Sequence, residues 1–595
     1  MHWSNRLASG VAASARVLFF AAMALAAGPL RSQTNLPVIR RPAALALTED
    51  DRWLLVANHR SGTVSVIDTV LEQVAAEHSL GRQISDVQLL PDGRLLALDE
   101  AAHQLLLLAM QGQEIQTLER LDVSPFPVSL SVSADGRTCF VASLWSRCLS
   151  KVAISMSTAE KNQPTLRVTE TLRLPFAPRE QLLAQEETKV LVADSFGGRL
   201  AVIDANRCQI ESLRELPAHN IRGLSLDPSG KKVLVAHQIT NGLAETSEND
   251  IHWGIVLINV VRWLSLENVL NPKAGILDDS HVHPAGDFHS AGGDPAGIAF
   301  APDGTMLAAL AGTNRLAWGR ETDYSLQSIE VGMRPTQVIV TSDGQRAYVA
   351  NTSDDSISVV DLPASGPPRT ILLGAAREPD LVEQGERLFY DARLSLDGWF
   401  SCHSCHTDGH TSGQLVDNLG DDSYGAAKQV ISLLGCGQTG PWAWNGQVEK
   451  LEHQVQNSIE TTMQGQADNA SVAALSEYLR GLAPPPPLGS FDKPGAETDV
   501  EDGKKLFTKL QCAACHNPQY RYTSDLAYDV GLADRLGNHH FNPPSLQGVS
   551  QRESFFHDNR AKSLADVLAQ FGHGLKEDGL QDRDLNRLLA YLQSL

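Results

Sequence analysis

Cys402-His403-Ser404-Cys405-His406 places two thiols three positions apart, with a histidine directly after the second. Thiols at that spacing can add across the two vinyl groups of a porphyrin. The following histidine then lies over one face of the macrocycle as an axial iron ligand. The pattern recurs at Cys512-Ala513-Ala514-Cys515-His516. Two covalently bound c-type haems are therefore expected, with His406 and His516 as proximal ligands. What each iron can do depends on the group facing it from the other side. A histidine or methionine there closes the coordination sphere, whereas a carboxylate or amide leaves it open and handles protons or orients a substrate.

The two motifs lie in two copies of one unit. Amphipathic helices over Glu383–Phe389 and Glu501–Phe507 are predicted before them. The closing pattern Leu475, Tyr478, Leu479, Leu482 is answered by Leu588, Tyr591, Leu592, Leu595. Between these landmarks the copies align without a gap at an offset of 113, which sets Gly435 on Gly548 and Leu451 on Leu564. The same offset sets Trp444 against His557 and Glu460 against His573. The expectation is a reactive first haem whose open site faces Glu460, and a second haem held by His516 and His573 and suited to electron transfer. His539, His540 and His557 are rival ligands. His573 also reads as a surface residue of the Gly572-His573-Gly574 turn, and Glu460 as an exposed helix carboxylate.

The stretch Gly385-Glu386-Arg387-Leu388-Phe389-Tyr390-Asp391-Ala392-Arg393-Leu394-Ser395, running into the first haem motif, resembles the bacterial di-haem cytochrome c peroxidases and their MauG-type relatives. So do Trp444-Asn445-Gly446, Pro544-Ser545-Leu546 and Phe556-His557-Asp558, so that the resemblance spans Glu378 to Leu595. It implies a mostly helical pair of cytochrome c-like modules, with Trp444 relaying electrons between the haems and Gln454 and Glu460 lining a peroxide pocket. It also implies a calcium ion between the modules, with no ligands assigned here. The chain departs from the family at three places. The Gln-to-Glu spacing is shorter, and Glu460-Thr461-Thr462-Met463 stands where a Glu-Met pair is expected. No regulatory histidine occurs near Asp421-Asp422. Phe571 stands where the second haem's sixth ligand is expected, with His573 as the nearest substitute.

The first two-thirds of the chain must position these modules or their partners. From Pro42 to Gly374, alternating apolar strands and polar turns recur. Leu54-Val56-Ala57-Asn58 leads to Val64-Val66-Ile67-Asp68, and Tyr348-Val349-Ala350-Asn351 leads to Ile357-Val359-Val360-Asp361. Seven turn markers fall at Asp50, Asp92, Asp135, Glu186, Ser229, Asp303 and Asp343, mostly about forty residues apart, the period of a four-stranded propeller blade. The repeat resembles the Tyr-Val-Thr-Asn family of propellers. The longest interval predicts an insertion over about 238–293 that carries His252, His281, His283 and His289 among Asp278, Asp279 and Asp287. That set reads either as a zinc or copper site or as a polar loop packed on the haem modules. Cys139 and Cys148 flank a hairpin and could pair in an oxidising compartment, while Cys208 and Cys436 read as buried small hydrophobes.

Of 595 residues, 70 are acidic and 49 basic, a net charge of −21 that argues against nucleic acid or an anionic membrane as partner. Arg6 and Arg16 precede an apolar run from Val17 to Ala27, and Ala24-Leu25-Ala26 offers a cleavage site, so 1–27 reads as an export signal. Later segments are too short and polar to span a bilayer. Thioether attachment of haem also calls for export, and the expected compartment is the periplasm. The chain thus reads as a signal segment 1–27, a seven-bladed β-propeller 40–374, a first haem module 375–483 and a second 492–595, with Pro363–Pro368 and Pro484–Pro487 as linkers. Three functions follow. One is peroxide reduction at the first haem with electrons from a small cytochrome c or cupredoxin; another is MauG-type oxidation of a protein substrate docked on the propeller. The third is non-enzymatic electron transfer.

Overall fold

The computed structural model describes residues 38–155, 165–364, 366–491, 497–575 and 580–595. The expected export signal, 1–27, lies outside the described residues. Among those described, seven four-stranded antiparallel sheets follow one another: Pro42–Ser79, Ile84–Asp122, Pro127–Arg173, Pro178–Glu215, His219–Pro284, Pro295–Glu330 and Pro335–Leu372. They are the blades of a propeller, and in each the strands run in chain order across the sheet.

Sequence alternation explains how the blades stack. Along Trp53–Asn58, Leu54 and Val56 face the seventh blade, packed with Tyr348 and Ile357. Leu55 and Ala57 face the second blade, packed with Ile84 and Val87. Second and third strands are therefore buried on both faces, whereas outer strands such as Gln73–Ser79 are largely exposed. Among the described residues no strand is shared between the ends of the ring. The seam closes on side chains: Asp355 accepts the backbone N–H groups of Arg40 (3.0 Å) and Arg41 (2.7 Å), and Thr352 Oγ1 donates to the Pro42 carbonyl at 2.7 Å.

Three expectations change. The range 238–293 is not a separate insertion, because two strands of the fifth blade, Leu257–Ser265 and His281–Pro284, lie within it. The extra length is spent on two excursions, which carry short helices at Glu248–His252 and Leu266–Leu270. The Pro363–Pro368 segment is not a linker between domains; it joins the last two strands of blade seven, Ser356–Asp361 and Arg369–Leu372. Cys139 and Cys148 are both free thiols. Cys139 sits across from Val152, and Cys148 across from Ser143, which leaves them about 13 Å apart along the hairpin at roughly 3.3 Å per residue, beyond the reach of a disulfide. Cys208 and Cys436 are buried, as expected.

Each haem module is framed by two crossing helices, Leu381–Phe389 on Asn469–Gly481 and Glu497–Lys509 on Asp582–Gln593. Asp380 and Glu383 form a reciprocal capping box that fixes the start of the first helix. Both crossings rely on glycine. A Cβ on Gly385 would lie 2.0 Å from the Ala474 carbonyl oxygen, and one on Gly503 2.0 Å from that of Arg587. Gly385→Ala is accordingly expected to destabilise the first module by about 1–3 kcal/mol, seen as a lower thermal midpoint with first-haem absorbance lost ahead of the second.

The first module sits over the axial opening of the ring, above a cavity of about 820 Å³ lined by the inner strands and by Glu386, Tyr390, His403 and Asp408. Asp408 accepts from Arg179 (3.0 Å) and Arg222 (2.7 Å), Glu386 from Arg41 (2.7 Å) and Arg60 (3.1 Å). The second module docks through Gln551, whose side chain and carbonyl accept from Arg147 at 3.2 and 2.8 Å, and through Glu553, paired with Arg147 and Arg199. No described helix is long and apolar enough to cross a membrane.

Candidate functional site

The first haem motif forms a single helical turn, Cys402–Cys405, entered from a loop that the propeller holds. Asp294, in the segment leading into blade six, accepts from the hydroxyls of Ser401 and Ser404, each at 2.6 Å, and from the Gln238 amide at 3.0 Å. Its side chain is buried; burial pushes its pKa up and the hydrogen bonds oppose that rise. Asn259 donates to the Trp399 carbonyl at 2.7 Å, and His219 Nε2 lies 3.1 Å from that of Ser404. Sequence reasoning missed Asp294, because no spacing links residue 294 to the motif more than a hundred positions later.

Both proximal histidines are presented alike. The Nδ1–H of His406 donates to the Ile431 carbonyl at 2.8 Å, and that of His516 to the Tyr522 carbonyl at 3.1 Å. Each Nε2 is thereby left for a metal. Burial lowers both imidazoles to about 4, so they are neutral, as ligation needs. Cys402, Cys405 and His406 line a cavity of about 650 Å³ that also receives Trp444, Gln454, Ser458 and Met463. No histidine other than His406 lines it. Gln454 donates to Ser458 Oγ at 3.3 Å, while its Oε1 is buried with no hydrogen-bond partner. An orphaned amide oxygen in one cavity with two thiols and a neutral imidazole suits a haem, and among the described residues Met463 is the one methionine that reaches the same cavity.

Glu460 is not in this cavity. It lies on the exposed side of a π-helical turn, Ser458–Thr462, where it accepts from Gln456 Nε2 at 3.0 Å. The alignment that set it against His573 also changes. The bridge Trp442–Val448 is matched by Phe555–Ala561, with left-handed backbone at Ala443 (φ 65°) and Phe556 (φ 67°), so the offset of 113 holds through that turn. The π-helical turns that follow, Ser458–Thr462 and Asp566–Gln570, are offset by 108. The second copy has dropped five residues between turn and helix. Glu460 therefore corresponds to Leu568, Met463 to Phe571 and Gly465 to His573.

His573 does face His516, with ring centroids 6.3 Å apart. Two metal–imidazole bonds of about 2 Å, with roughly 1.2 Å from each nitrogen to its ring centre, span about 6.4 Å, close to that separation. The rivals fail on position. His539 and His540 are exposed, and His557 stacks on Phe541 at 4.4 Å. Trp444 stands at the seam between the modules. Its indole N–H donates to the Gln429 carbonyl at 2.8 Å, its carbonyl accepts from the Asn542 N–H at 2.8 Å, and its ring lies 6.4 Å from His557.

The histidine-rich set of blade five splits in two. His281 and His283 share a strand, with Nε2 atoms 3.3 Å apart, but His283 accepts from Trp263 at Nδ1 and donates to the Asp323 carbonyl at Nε2. Both its nitrogens are spent. Asp278 caps the Gly275 N–H at 2.9 Å. His252 and His289 lie elsewhere, beside Asp397 of the first haem module.

Residues 379–481 and 503–594 match the di-haem cytochrome c peroxidase family. The methylamine utilization protein MauG of Methylophilus methylotrophus is 24% identical over 275 residues, covering 36% of this chain and 81% of that protein. The cytochrome c551 peroxidase of Nitrosomonas europaea is 22% identical over 283 residues, covering 39% and 84%. Among solved structures, Kuenenia stuttgartiensis hydrazine synthase aligns with a TM-score of 0.48 and 18% identity over 57% of this chain.

Proposed function

We propose that this chain, whose residues 379–481 and 503–594 match the di-haem cytochrome c peroxidase family, is an oxidoreductase that reduces hydrogen peroxide at the haem of Cys402, Cys405 and His406. Electrons would come singly from a small cytochrome c or cupredoxin through the haem of Cys512, Cys515, His516 and His573. The observation that carries this reading is the asymmetry between the modules. His573 stands 6.3 Å from His516, ring centre to ring centre, whereas its counterpart in the first module is Gly465.

Haem supplies an iron centre that accepts and delivers electrons one at a time and can bind a small oxygen ligand at an open face. The protein's part is positioning. His406 and His516 fix their tautomers through backbone carbonyls. The free Oε1 of Gln454 accepts a hydrogen bond from a substrate O–H in the cavity and so orients it. Trp444 offers an aromatic ring between the modules, with its N–H tied to the Gln429 carbonyl and the His557 ring 6.4 Å away. Glu460, facing solvent, has no such part. Gln454→Ala is expected to slow peroxide consumption by about tenfold or more, while Glu460→Gln leaves it within about twofold; stopped-flow spectra read both.

Electron paramagnetic resonance of the ferric, haem-loaded protein tests the assignment. One high-spin signal that peroxide alters, beside one low-spin signal, is the expected result; two low-spin signals indifferent to peroxide would overturn it. A second reading, MauG-type oxidation of a protein substrate, is favoured by the MauG relative. Peroxide turnover that needs no protein beyond the electron donor separates the two. Covalent haem attachment, made on exported chains, supports a periplasmic place of action.

A further inference from the structure

Blade five and the loop entering the first haem motif meet at three side chains that the proposed reaction does not use. His252 ends the short helix of the first excursion, His289 lies in the segment between blades five and six, and Asp397 is five residues before Cys402. His252 Nδ1 is 2.6 Å from Asp397 Oδ2, and His289 Nδ1 is 3.7 Å from Asp397 Oδ1. The three donor atoms all lie within 4.8 Å of one another. We propose that His252, His289 and Asp397 bind one divalent first-row transition metal of the zinc class, joining the propeller to the haem loop.

The donor set selects the metal. Two imidazole nitrogens and one carboxylate oxygen suit zinc, copper, nickel or ferrous iron, whereas calcium and magnesium want oxygen throughout. The spacing suits it too. Donors bonded at about 2.0–2.1 Å around a tetrahedral ion stand roughly 3.4 Å apart. His252 and Asp397, hydrogen-bonded at 2.6 Å, must part by about 0.8 Å to admit the ion, and His289, whose side chain is 71% exposed, has room to turn in. Trp253 and Phe288 stack beside the cluster, 5.2 Å apart, with His252 4.9 Å from Trp253 and His289 5.3 Å from Phe288. That apolar flank strengthens a charge interaction at the site.

The surroundings hold the donors in place. The His252 carbonyl accepts from Trp399 Nε1 at 3.3 Å, and the Asp397 carbonyl from the Ala291 N–H at 3.1 Å. Ala291 follows His289 by two residues, so this bond ties the His289 segment to Asp397. The neighbouring His281–His283 pair serves as the internal contrast, since His283 has no nitrogen to give. With three protein donors, the fourth position belongs to water. Metal binding displaces the proton that His252 shares with Asp397 and replaces one hydrogen bond by three metal–ligand bonds.

The test uses full-length, haem-loaded protein stripped with a chelator and titrated with zinc against a chromophoric competitor. Metal per chain is counted against haem iron by mass spectrometry. One zinc for every two haem irons is expected. His289→Ala, at an exposed position, should weaken zinc by about 10- to 100-fold, and His281→Ala should leave it unchanged. Zinc should also raise the thermal midpoint of the wild type and not that of His289→Ala. Failure to take up zinc, wild-type affinity in His289→Ala, or loss of zinc in His281→Ala would each overturn the site.

Discussion

Replacing His573 by alanine is expected to convert the second haem from low-spin to high-spin and to cut peroxide turnover with a reduced cytochrome c by about tenfold or more, some 1.4 kcal/mol in the barrier to electron delivery. The reason is geometric. His573 faces His516 at the ring separation an iron between two imidazoles requires, and burial lowers its pKa toward the neutral form. Its backbone N–H donates to the Val567 carbonyl at 3.1 Å, which sets the ring's approach. Phe556 and Phe571 close the space around it, with Phe556 5.6 Å from each ring, and offer no donor atom. Removing the imidazole therefore opens a coordination position without supplying another ligand. Haem content should stay intact, because attachment rests on Cys512 and Cys515. A second haem that stays low-spin in His573→Ala would refute the assignment.

Asp294→Ala carries the other large effect. One buried carboxylate accepts from Ser401, Ser404 and Gln238. Truncation leaves the buried Ser401 and Ser404 hydroxyls without an acceptor, at about 1–3 kcal/mol each before relaxation, and the Gln238 amide with Asn259 alone; a net loss of about 3–5 kcal/mol is expected. It would fall on the loop that presents Cys402, so the first haem should be under-loaded while the second is loaded fully. The measurement is the haem-to-protein ratio for each motif by peptide mass spectrometry, alongside the thermal midpoint. Asp294→Asn keeps one acceptor and should recover part of both. Full occupancy of the first motif in Asp294→Ala would show that the propeller does not hold the loop.

The haem motifs were legible because thioether chemistry fixes three residues within five adjacent positions, and local spacing survives any fold. The blades were legible because each repeats the same strand alternation, and Tyr348-Val349-Ala350-Asn351 is buried as its pattern implies. The role expected of Glu460 was lost at a junction. Five residues vanish between a turn and a helix where the two copies share few residue types, and a gapless offset carries straight across. Leu568 and Gly465 look unremarkable in sequence, so nothing flagged the slip. Asp294 was invisible for another reason. Its serine partners lie in a different domain, and long-range burial leaves no periodic trace. The hairpin with Cys139 and Cys148 announced itself by its turn, but pairing register depends on the whole strand, and register decides whether two thiols meet.

The seam of the ring has one more partner than the blades provide. Arg41, whose backbone joins the first blade to Asp355 of the seventh, also reaches Glu386, 345 residues away. A chain made from its N-terminus presents every blade before Glu386 exists. The ring can therefore close on Asp355 first and be latched only when the first haem module arrives. Glu386 and Cys402 belong to the same short stretch of chain, sixteen residues apart. The latch of the ring and the loop that presents the first haem thereby share one short stretch of chain.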